Sequence, residues 1–229
     1  MATKRTSKYR AKEGEGSHKP TALLPKNDNQ AAYIKALKNC PQVIVTGPAG
    51  TGKTFIASTY AANLFAKGQI DKIILTRPNV ASGRSLGFFP GTMEEKMAPW
   101  VIPFTDVLES VLGTAAFGIA TKNKLIDIVP FEVMRGRTFN NAFVILDEAQ
   151  NTTPSEMKMF LTRIGEESQV VLNGDIRQSD LKSDSGLKVI IEMAKKQKLP
   201  VDHIEFTIED IVRSGICAMW VKAFDKIGL

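Results

Sequence analysis

The feature that most constrains how this chain folds is a set of short segments that are apolar at almost every position. The clearest is Gln42–Thr46, whose sequence QVIVT has β-branched residues at its centre. A strand with one exposed face alternates apolar and polar residues, whereas a strand covered on both faces is apolar along its whole length. Further segments of this kind lie at residues 72–76, 142–147, 169–173 and, in weaker form, 203–207. These segments predict the buried strands of a parallel sheet.

Segments with helical periodicity separate most of these predicted strands. They lie at residues 30–39, 54–66, 155–164, 187–195 and about 209–226. Thr153 and Glu156 frame a capping box, with Pro154 at the first helical position of the third helix. Strands that alternate with helices are typical of an α/β fold, in which helices cover both faces of a mainly parallel sheet.

The composition is that of a globular protein with an uneven charge distribution. The chain has 229 residues, of which 43% are hydrophobic and 24% charged, and its formal net charge is +6. Residues 1–20 contain six basic and two acidic residues, a net charge of +4, and few large apolar side chains. We therefore predict a flexible basic tail over residues 1–20 and a single domain over residues 21–229. Two functions of the tail remain open: attraction to nucleic-acid phosphates, or solubility alone.

Few residues could ligate a transition metal or form a disulfide. The chain has two cysteines and two histidines, all far apart in the sequence: Cys40, Cys217, His18 and His203. This distribution disfavours a zinc centre or a disulfide framework. The longest apolar runs have the length of a strand rather than of a membrane span, and no apolar stretch follows the basic N-terminus. We expect a cytoplasmic protein with no membrane partner.

A glycine-rich segment follows the first predicted strand and opens the helix behind it. The pattern G-x-x-x-x-G-K-[ST] is matched by Gly47, Pro48, Ala49, Gly50, Thr51, Gly52, Lys53 and Thr54. Glycines let backbone amides turn around phosphate oxygens, and the helix N-terminus adds partial positive charge. The motif predicts that Lys53 contacts the β- and γ-phosphates of ATP and that the Thr54 hydroxyl binds Mg²⁺.

Two acids, Asp147 and Glu148, follow the apolar run Ala142–Leu146. Ligands of open α/β sheets bind at the carboxyl ends of the strands. Asp147 is predicted to hold Mg²⁺, and Glu148 to orient and deprotonate the attacking water. A kinase acting on a small molecule has less need of the second acid. We expect the strands that end at Thr46 and Asp147 to lie side by side.

A third polar segment, residues 173–178, follows the fourth predicted strand. Gln178 is predicted to sense the γ-phosphate, with Asp175 orienting it. A plain polar turn is the alternative.

Together these motifs resemble the PhoH-like family, a branch of P-loop ATPases similar to the first motor domain of superfamily 1 helicases. The resemblance spans roughly residues 22–215 and includes the blocks 75–78, 86–91, 94–97, 134–138, 145–151 and 157–165. It implies ATP binding and hydrolysis on a RecA-like domain and a role on RNA or single-stranded DNA. It also implies that Gln30 contacts adenine.

The proposed hydrolysis would gain from an arginine that neutralises charge developing on the γ-phosphate, an effect of about 10³–10⁵ in rate. Two-domain helicases place this arginine on their second domain, and one domain is predicted here. We therefore expect a homo-oligomer, a ring such as a hexamer, in which a neighbour supplies the arginine. Arg213 is the first candidate, followed by Arg137 and Arg177. An ion pair between Arg213 and Glu209 on one helix is the alternative.

Aromatic residues between Ser82 and Trp100 lie among glycines and prolines, so this segment is not predicted to be a simple helix. Phe88, Phe89 and Trp100 could stack on bases or pack a loop onto the core. Arg77 and Arg84 could line a nucleic-acid path or lie on a solvated surface. Two other functions stay open: a nucleic-acid-binding switch with negligible ATP turnover, and a small-molecule kinase.

Overall fold

The computed structural model describes residues 20–78, 93–181 and 184–226 of the chain. The predicted basic tail, apart from its last residue, lies outside the described residues, and so do Arg84, Phe88 and Phe89. In the described parts of the chain, no helix is both long and apolar enough to cross a membrane.

The structure is built on a six-stranded sheet in which all paired strands are parallel. The strands are β1 (Gln42–Thr46), β2 (Lys72–Thr76), β3 (Ile126–Ile128), β4 (Ala142–Leu146), β5 (Gln169–Gly174) and β6 (Asp202–Glu205). Their order across the sheet is β3-β2-β4-β5-β1-β6. The apolar pattern of the sequence predicts all of these strands except the short β3.

Helices cover both faces of the sheet. The α-helices are α1 (Asp28–Asn39), α2 (Lys53–Ala66), α3 (Met93–Leu112), α4 (Thr114–Lys122), α5 (Pro154–Leu161), α6 (Gly186–Gln197) and α7 (Gly215–Lys226). Residues of α1 to α4 form one hydrophobic cluster with the sheet, and residues of α5 and α6 form a second cluster. The predicted α/β class, a parallel sheet with helices on both faces, is confirmed.

Strand β1 shows why the apolar runs identify the sheet. Val43 and Val45 belong to the first hydrophobic cluster, and Ile44 between them belongs to the second. Alternate residues of a strand point to opposite faces, so a strand with helices on both sides has no position for a solvated side chain.

One prediction about the sheet is wrong: the strands that end at Thr46 and Leu146 are not adjacent. Strand β5 lies between β1 and β4 and pairs with both. All three strands are equally apolar, and apolar character alone does not specify the order of strands in a sheet. As a consequence, the polar segment that begins at Asp175 lies between the glycine-rich loop and the acids.

Several helix boundaries also differ from the predictions. Helix α1 is capped by Asn27, whose side chain accepts a hydrogen bond from the Gln30 amide. Helix α3 begins at Met93 and continues through Pro99 and Pro103, although the sequence did not favour a simple helix up to Trp100. Packing explains its persistence, because its apolar face is buried in the first cluster at Phe104 and Leu108.

Candidate nucleotide-binding site

The glycine-rich loop between β1 and α2 has a backbone conformation that its glycines make possible. Gly47, Gly50 and Gly52 have φ angles of 131°, 89° and 90°. A Cβ atom at Gly47 would lie 2.3 Å from the carbonyl oxygen of Phe206, and one at Gly50 would lie 2.9 Å from the side chain of Arg213. The loop therefore combines a left-handed backbone with close contacts that a side chain would prevent.

Three distant segments hold this loop in place through hydrogen bonds. The Gly47 amide donates to Gly174 O over 3.1 Å, and the Val212 amide donates to Gly50 O over 3.0 Å. The buried side chain of Gln30 donates from Nε2 to Thr51 O over 2.9 Å. Residues far apart in the sequence thus fix the position of the loop.

Lys53, the first residue of α2, folds its ammonium group back over the loop. Its Nζ donates to Gly47 O at 2.6 Å and to Pro48 O at 2.8 Å. Burial lowers the pKa of Lys53, while the nearby carboxylates of Asp175, Asp147 and Glu148 act in the opposite direction. The predicted phosphate-binding lysine therefore lies in the field of all three acids.

Asp147 and Glu148 lie at the end of β4, and the Asp147 amide donates to Thr76 O over 2.9 Å. The side chain of Asp147 is 18% exposed. Burial and the charge of Glu148 raise the pKa of Asp147 to about 6. Glu148 itself has a left-handed backbone, with φ 51° and ψ 38°. Such a conformation is unfavourable for a residue with a side chain, and it is often found at functional sites.

Two residues that the sequence motifs do not assign to the site contact these acids. Arg77 forms ion pairs with both Asp147 and Glu148. Gln150, which is 1% exposed, donates from Nε2 to Glu148 Oε2 at 2.5 Å and accepts from the Asp175 amide at 3.0 Å. Gln150 lies in the block 145–151 that resembles the PhoH-like family, but the contacts of Gln150 and Arg77 with the acids cannot be recognised without knowing which strands are neighbours.

Gln178, the predicted γ-phosphate sensor, ends the 3₁₀ turn Ile176–Gln178 and is exposed. The side chain of Asp175 accepts from the Arg177 amide at the start of this turn. The structure therefore places Asp175 near the acids through Gln150, and it places Gln178 at the surface of the same edge.

The candidate arginines occupy different places. Arg213 precedes α7, and its side chain lies against Gly50 of its own chain, whereas we expected it to serve the site of a neighbouring subunit. Glu209 belongs to the separate 3₁₀ turn Ile208–Asp210, so Glu209 and Arg213 do not lie on one helix as predicted. Arg137 pairs with Asp127 of β3 at 3.3 Å, and Arg177 is exposed beside Asp175.

The residues present fit a magnesium-bound triphosphate. Helix α2 begins without a side-chain cap among the described residues, so its first amides lack a side-chain partner. No group of three or more His, Cys, Asp or Glu side chains suited to a metal occurs in the described ranges. Mg²⁺ in proteins commonly takes one or two carboxylates and completes its shell with phosphate oxygens and water. Thr54 and Asp147 are the residues that would hold it.

A glycine-rich loop between a buried strand and a helix, with acids at the same edge of a parallel sheet, defines a P-loop fold. A family model described as "PhoH-like protein" matches residues 22–225. The chain is 44% identical over 210 residues to a PhoH-like protein of Bacillus subtilis (strain 168), covering 91% of this chain and 66% of that protein. It is 42% identical over 212 residues to Protein PhoH of Escherichia coli (strain K12), covering 91% of this chain and 60% of the relative. The chain belongs to the PhoH-like protein family.

These relatives are longer than the present chain, which spans 60–66% of their length. Among solved structures, the helicase domain of Pyrococcus furiosus Hef aligns with a TM-score of 0.44 at 10% identity, covering 76% of this chain and 37% of that chain.

Proposed function

We propose that this chain is a Mg²⁺-dependent ATP hydrolase that couples hydrolysis to the binding or remodelling of RNA or single-stranded DNA. The observation that carries the proposal is that Lys53, in the loop and helix after β1, and the acids Asp147 and Glu148, after β4, lie at the same edge of the parallel sheet, where the acids act electrostatically on the lysine. One acid can bind the metal ion and the adjacent acid can accept a proton from water. This pair matches a reaction in which water attacks a metal-bound phosphate.

Each residue has a defined part in this proposal. The backbone of Gly47–Thr54 and the ammonium of Lys53 hold the phosphates, and Thr54 and Asp147 hold Mg²⁺, which offsets the negative charge of the phosphates. Glu148 orients the attacking water and accepts its proton. The remaining assignments are Gln178 as sensor of the γ-phosphate, Gln30 as adenine contact and Arg213 as the arginine that stabilises developing charge.

The test is the rate of phosphate release with and without RNA or single-stranded DNA. We expect nucleic acid to raise the rate severalfold. Slow release that nucleic acid does not change would favour the ATP-binding switch. Transfer of phosphate to an added acceptor, with none in solution, would favour a small-molecule kinase. The measurement should be repeated at increasing salt, because binding through phosphates weakens as salt rises.

Glu148→Gln provides a check on the water-activating residue. The amide keeps the size of the side chain but cannot accept the proton, so we expect ATP binding to remain while turnover falls by about 10²–10⁴-fold. Binding can be measured by calorimetry and turnover by phosphate release. Normal turnover in this variant would remove Glu148 from its proposed role.

We also propose that the chain assembles as a ring, such as a hexamer, and acts in the cytoplasm on its nucleic-acid partner. The position of Arg213 on its own loop allows it to act within one chain, and Arg137 and Arg177 remain the candidates for an arginine supplied in trans. Mixing two inactive variants, Glu148→Gln and Arg213→Ala, distinguishes the two arrangements. Recovered turnover in the mixture would mean that Arg213 serves a neighbour, and no recovery would mean that it serves its own site.

A further inference from the structure

Arg77 is a charged residue of the site whose contacts the proposed hydrolysis does not use. It directly follows β2, and its guanidinium lies 3.7 Å from Asp147 Oδ2 and 3.6 Å from Glu148 Oε1. The same guanidinium lies over the indole of Trp100, 5.0 Å from the ring centroid. One side chain therefore connects both acids to an aromatic ring of α3.

These ion pairs stabilise two acids that otherwise repel each other. The charge of Glu148 raises the pKa of Asp147, and the charge of Arg77 opposes that rise. A guanidinium is charged throughout the physiological pH range, and its planar fork can face two carboxylates at once. At 3.6–3.7 Å the contacts are ion pairs rather than short hydrogen bonds. The Arg77 side chain is 25% exposed, so solvent screens its ion pairs and lowers the cost of exchanging them for other partners.

The contacts of Arg77 are incompatible with the roles proposed for the acids. An oxygen of Asp147 that faces the guanidinium is less attractive to a cation, and the Glu148 oxygen that pairs with the guanidinium is not available to a water molecule. A divalent cation held by Asp147 would in turn repel the guanidinium. Arg77 must therefore leave at least one of the acids before water can be activated.

We propose that Arg77 is a positioning residue that leaves the two acids for a phosphate group and thereby releases Glu148 to act on water. Phosphate is the expected acceptor because its oxygens bind a guanidinium in a bidentate manner. Two sources share this chemistry: the terminal phosphate of the bound nucleotide and the backbone of a nucleic-acid strand. The inference rests on the proposed function, since it concerns the same acids.

Trp100 offers a direct reporter of this movement. The chain has two tryptophans, Trp100 and Trp220, so a Trp220→Phe protein contains Trp100 as its single indole. Trp100 is 43% exposed, and a cation over its ring influences its fluorescence. We expect its emission to change when Arg77 moves. The same addition should leave the emission of the double variant Trp220→Phe, Arg77→Gln unchanged.

The additions distinguish the two sources of phosphate. A non-hydrolysable ATP analogue with Mg²⁺, an oligouridine, and both together are added to the Trp220→Phe protein. A change with the analogue alone identifies the nucleotide as the source, and a change that requires the oligouridine identifies the nucleic-acid backbone. An emission that no addition changes, or an identical change in the Arg77→Gln protein, would overturn the proposal.

Binding of a metal ion without nucleotide gives an independent measurement. If Arg77 shields Asp147 and Glu148, Arg77→Gln should bind Mn²⁺ about tenfold more tightly, because one positive charge is removed beside the ligand. Arg77→Lys keeps the charge and should bind Mn²⁺ like the wild-type protein. Arg163→Gln is the matched control, since Arg163 bonds to Met159 O within its own helix region. Unchanged or weaker binding by a folded Arg77→Gln protein would contradict the shielding.

Neither measurement uses ATP turnover, so the inference and the proposed function can fail separately. A protein that does not hydrolyse ATP but shows the Arg77-dependent emission change would retain the exchange and lose the hydrolase assignment. A hydrolase without the emission change would retain its function and lose the role of Arg77.

Discussion

At the scale of single residues, the arrangement of the acids depends on the amide of Gln150. Its nitrogen donates to Glu148 and its oxygen accepts from the Asp175 amide. Because the side chain is buried, both hydrogen bonds are protected from competition with water. Gln150 therefore fixes the orientation of Glu148 relative to the segment that follows β5.

Replacement of this amide by a carboxylate tests that function. Gln150→Glu keeps the size of the side chain and its acceptor for Asp175, but it removes the donor to Glu148 and adds a like charge beside it. We expect turnover to fall by about 10²-fold, as for the loss of a positioned general base. ATP affinity should change little, and both quantities can be obtained from rate measurements and calorimetry.

Gln197→Glu, at the exposed end of α6, is the control for the added charge. Turnover that is as high in Gln150→Glu as in this control would show that Gln150 only fills space.

Gln178→Ala belongs to the same series, and a loss of turnover there would support its assignment as the γ-phosphate sensor.

At the scale of secondary-structure elements, the loop before α2 is the place where backbone conformation limits the sequence most. Gly47 has φ 131°, and a Cβ atom there would meet the backbone oxygen of Phe206. Gly68, just beyond the end of α2, also has a positive φ, 64°, but a Cβ atom there would meet nothing within 4 Å. Comparing an alanine substitution at each of the two glycines therefore separates the cost of backbone strain from the cost of a steric clash.

We predict that Gly68→Ala lowers the free energy of unfolding by about 1 kcal/mol, the cost of a left-handed residue with a side chain. Gly47→Ala should cost about 3 kcal/mol, since overpacking against Phe206, which follows β6, is added to the strain. Urea unfolding followed by circular dichroism measures both. Equal losses in the two variants would show that the contact with Phe206 relaxes without cost.

The sequence identifies those secondary-structure elements that are determined by residues close together in the chain. Strand β1 is recognisable because Val43, Ile44 and Val45 leave no polar face, and α5 is recognisable because Thr153 and Glu156 form the capping box that the structure contains. The glycine-rich loop is identified by its motif and by the strand and helix around it. For these parts, neighbouring residues alone supply the necessary physical information.

Other features depend on contacts between distant residues and are not visible in the sequence. Helix α7 starts later than predicted because Asp210 is held in a separate 3₁₀ turn. Its carboxylate accepts hydrogen bonds from Thr207 and from Asn29, which lies 181 residues earlier in the sequence. The order of β1, β5 and β4 is likewise set by tertiary packing. The contacts of Gln150 and Arg77 with the acids follow from that order, which is why the motifs alone did not assign them.

At the scale of the whole molecule, two groups near the site have shifted pKa values with opposite effects on how stability depends on pH. The pKa of Asp147 is raised to about 6 in the fold, so the folded protein takes up this proton more readily than the unfolded chain. Its contribution to stability is present at low pH and is lost as the pH rises through about 6. Burial, and then the charge of Lys195, lower the pKa of His203, which Glu205 partly opposes.

The effect of His203 has the other sign. Because the folded-state pKa of His203 lies below the usual histidine value of about 6.5, the unfolded chain binds the proton more readily as the pH falls. Its contribution is therefore complete above about pH 6.5 and is lost as the pH falls through the lowered pKa. The imidazole Nε2 lies 2.8 Å from Thr46 Oγ1. Protonation of His203 is therefore expected to weaken a contact at the end of β1, directly before the glycine-rich loop.

We predict that His203→Gln lessens the loss of stability on acidification, because glutamine can bond to Thr46 without taking up a proton. Urea unfolding of the wild-type protein and the variant from about pH 7.5 to about pH 5 measures the difference, which should grow as the pH falls. His18→Gln controls for the other histidine, and Asp147→Asn should change the profile in the opposite sense. Since Asp147 titrates in both the wild-type and His203→Gln proteins, their difference isolates the imidazole. A difference that is constant with pH would mean that His203 contributes by packing alone.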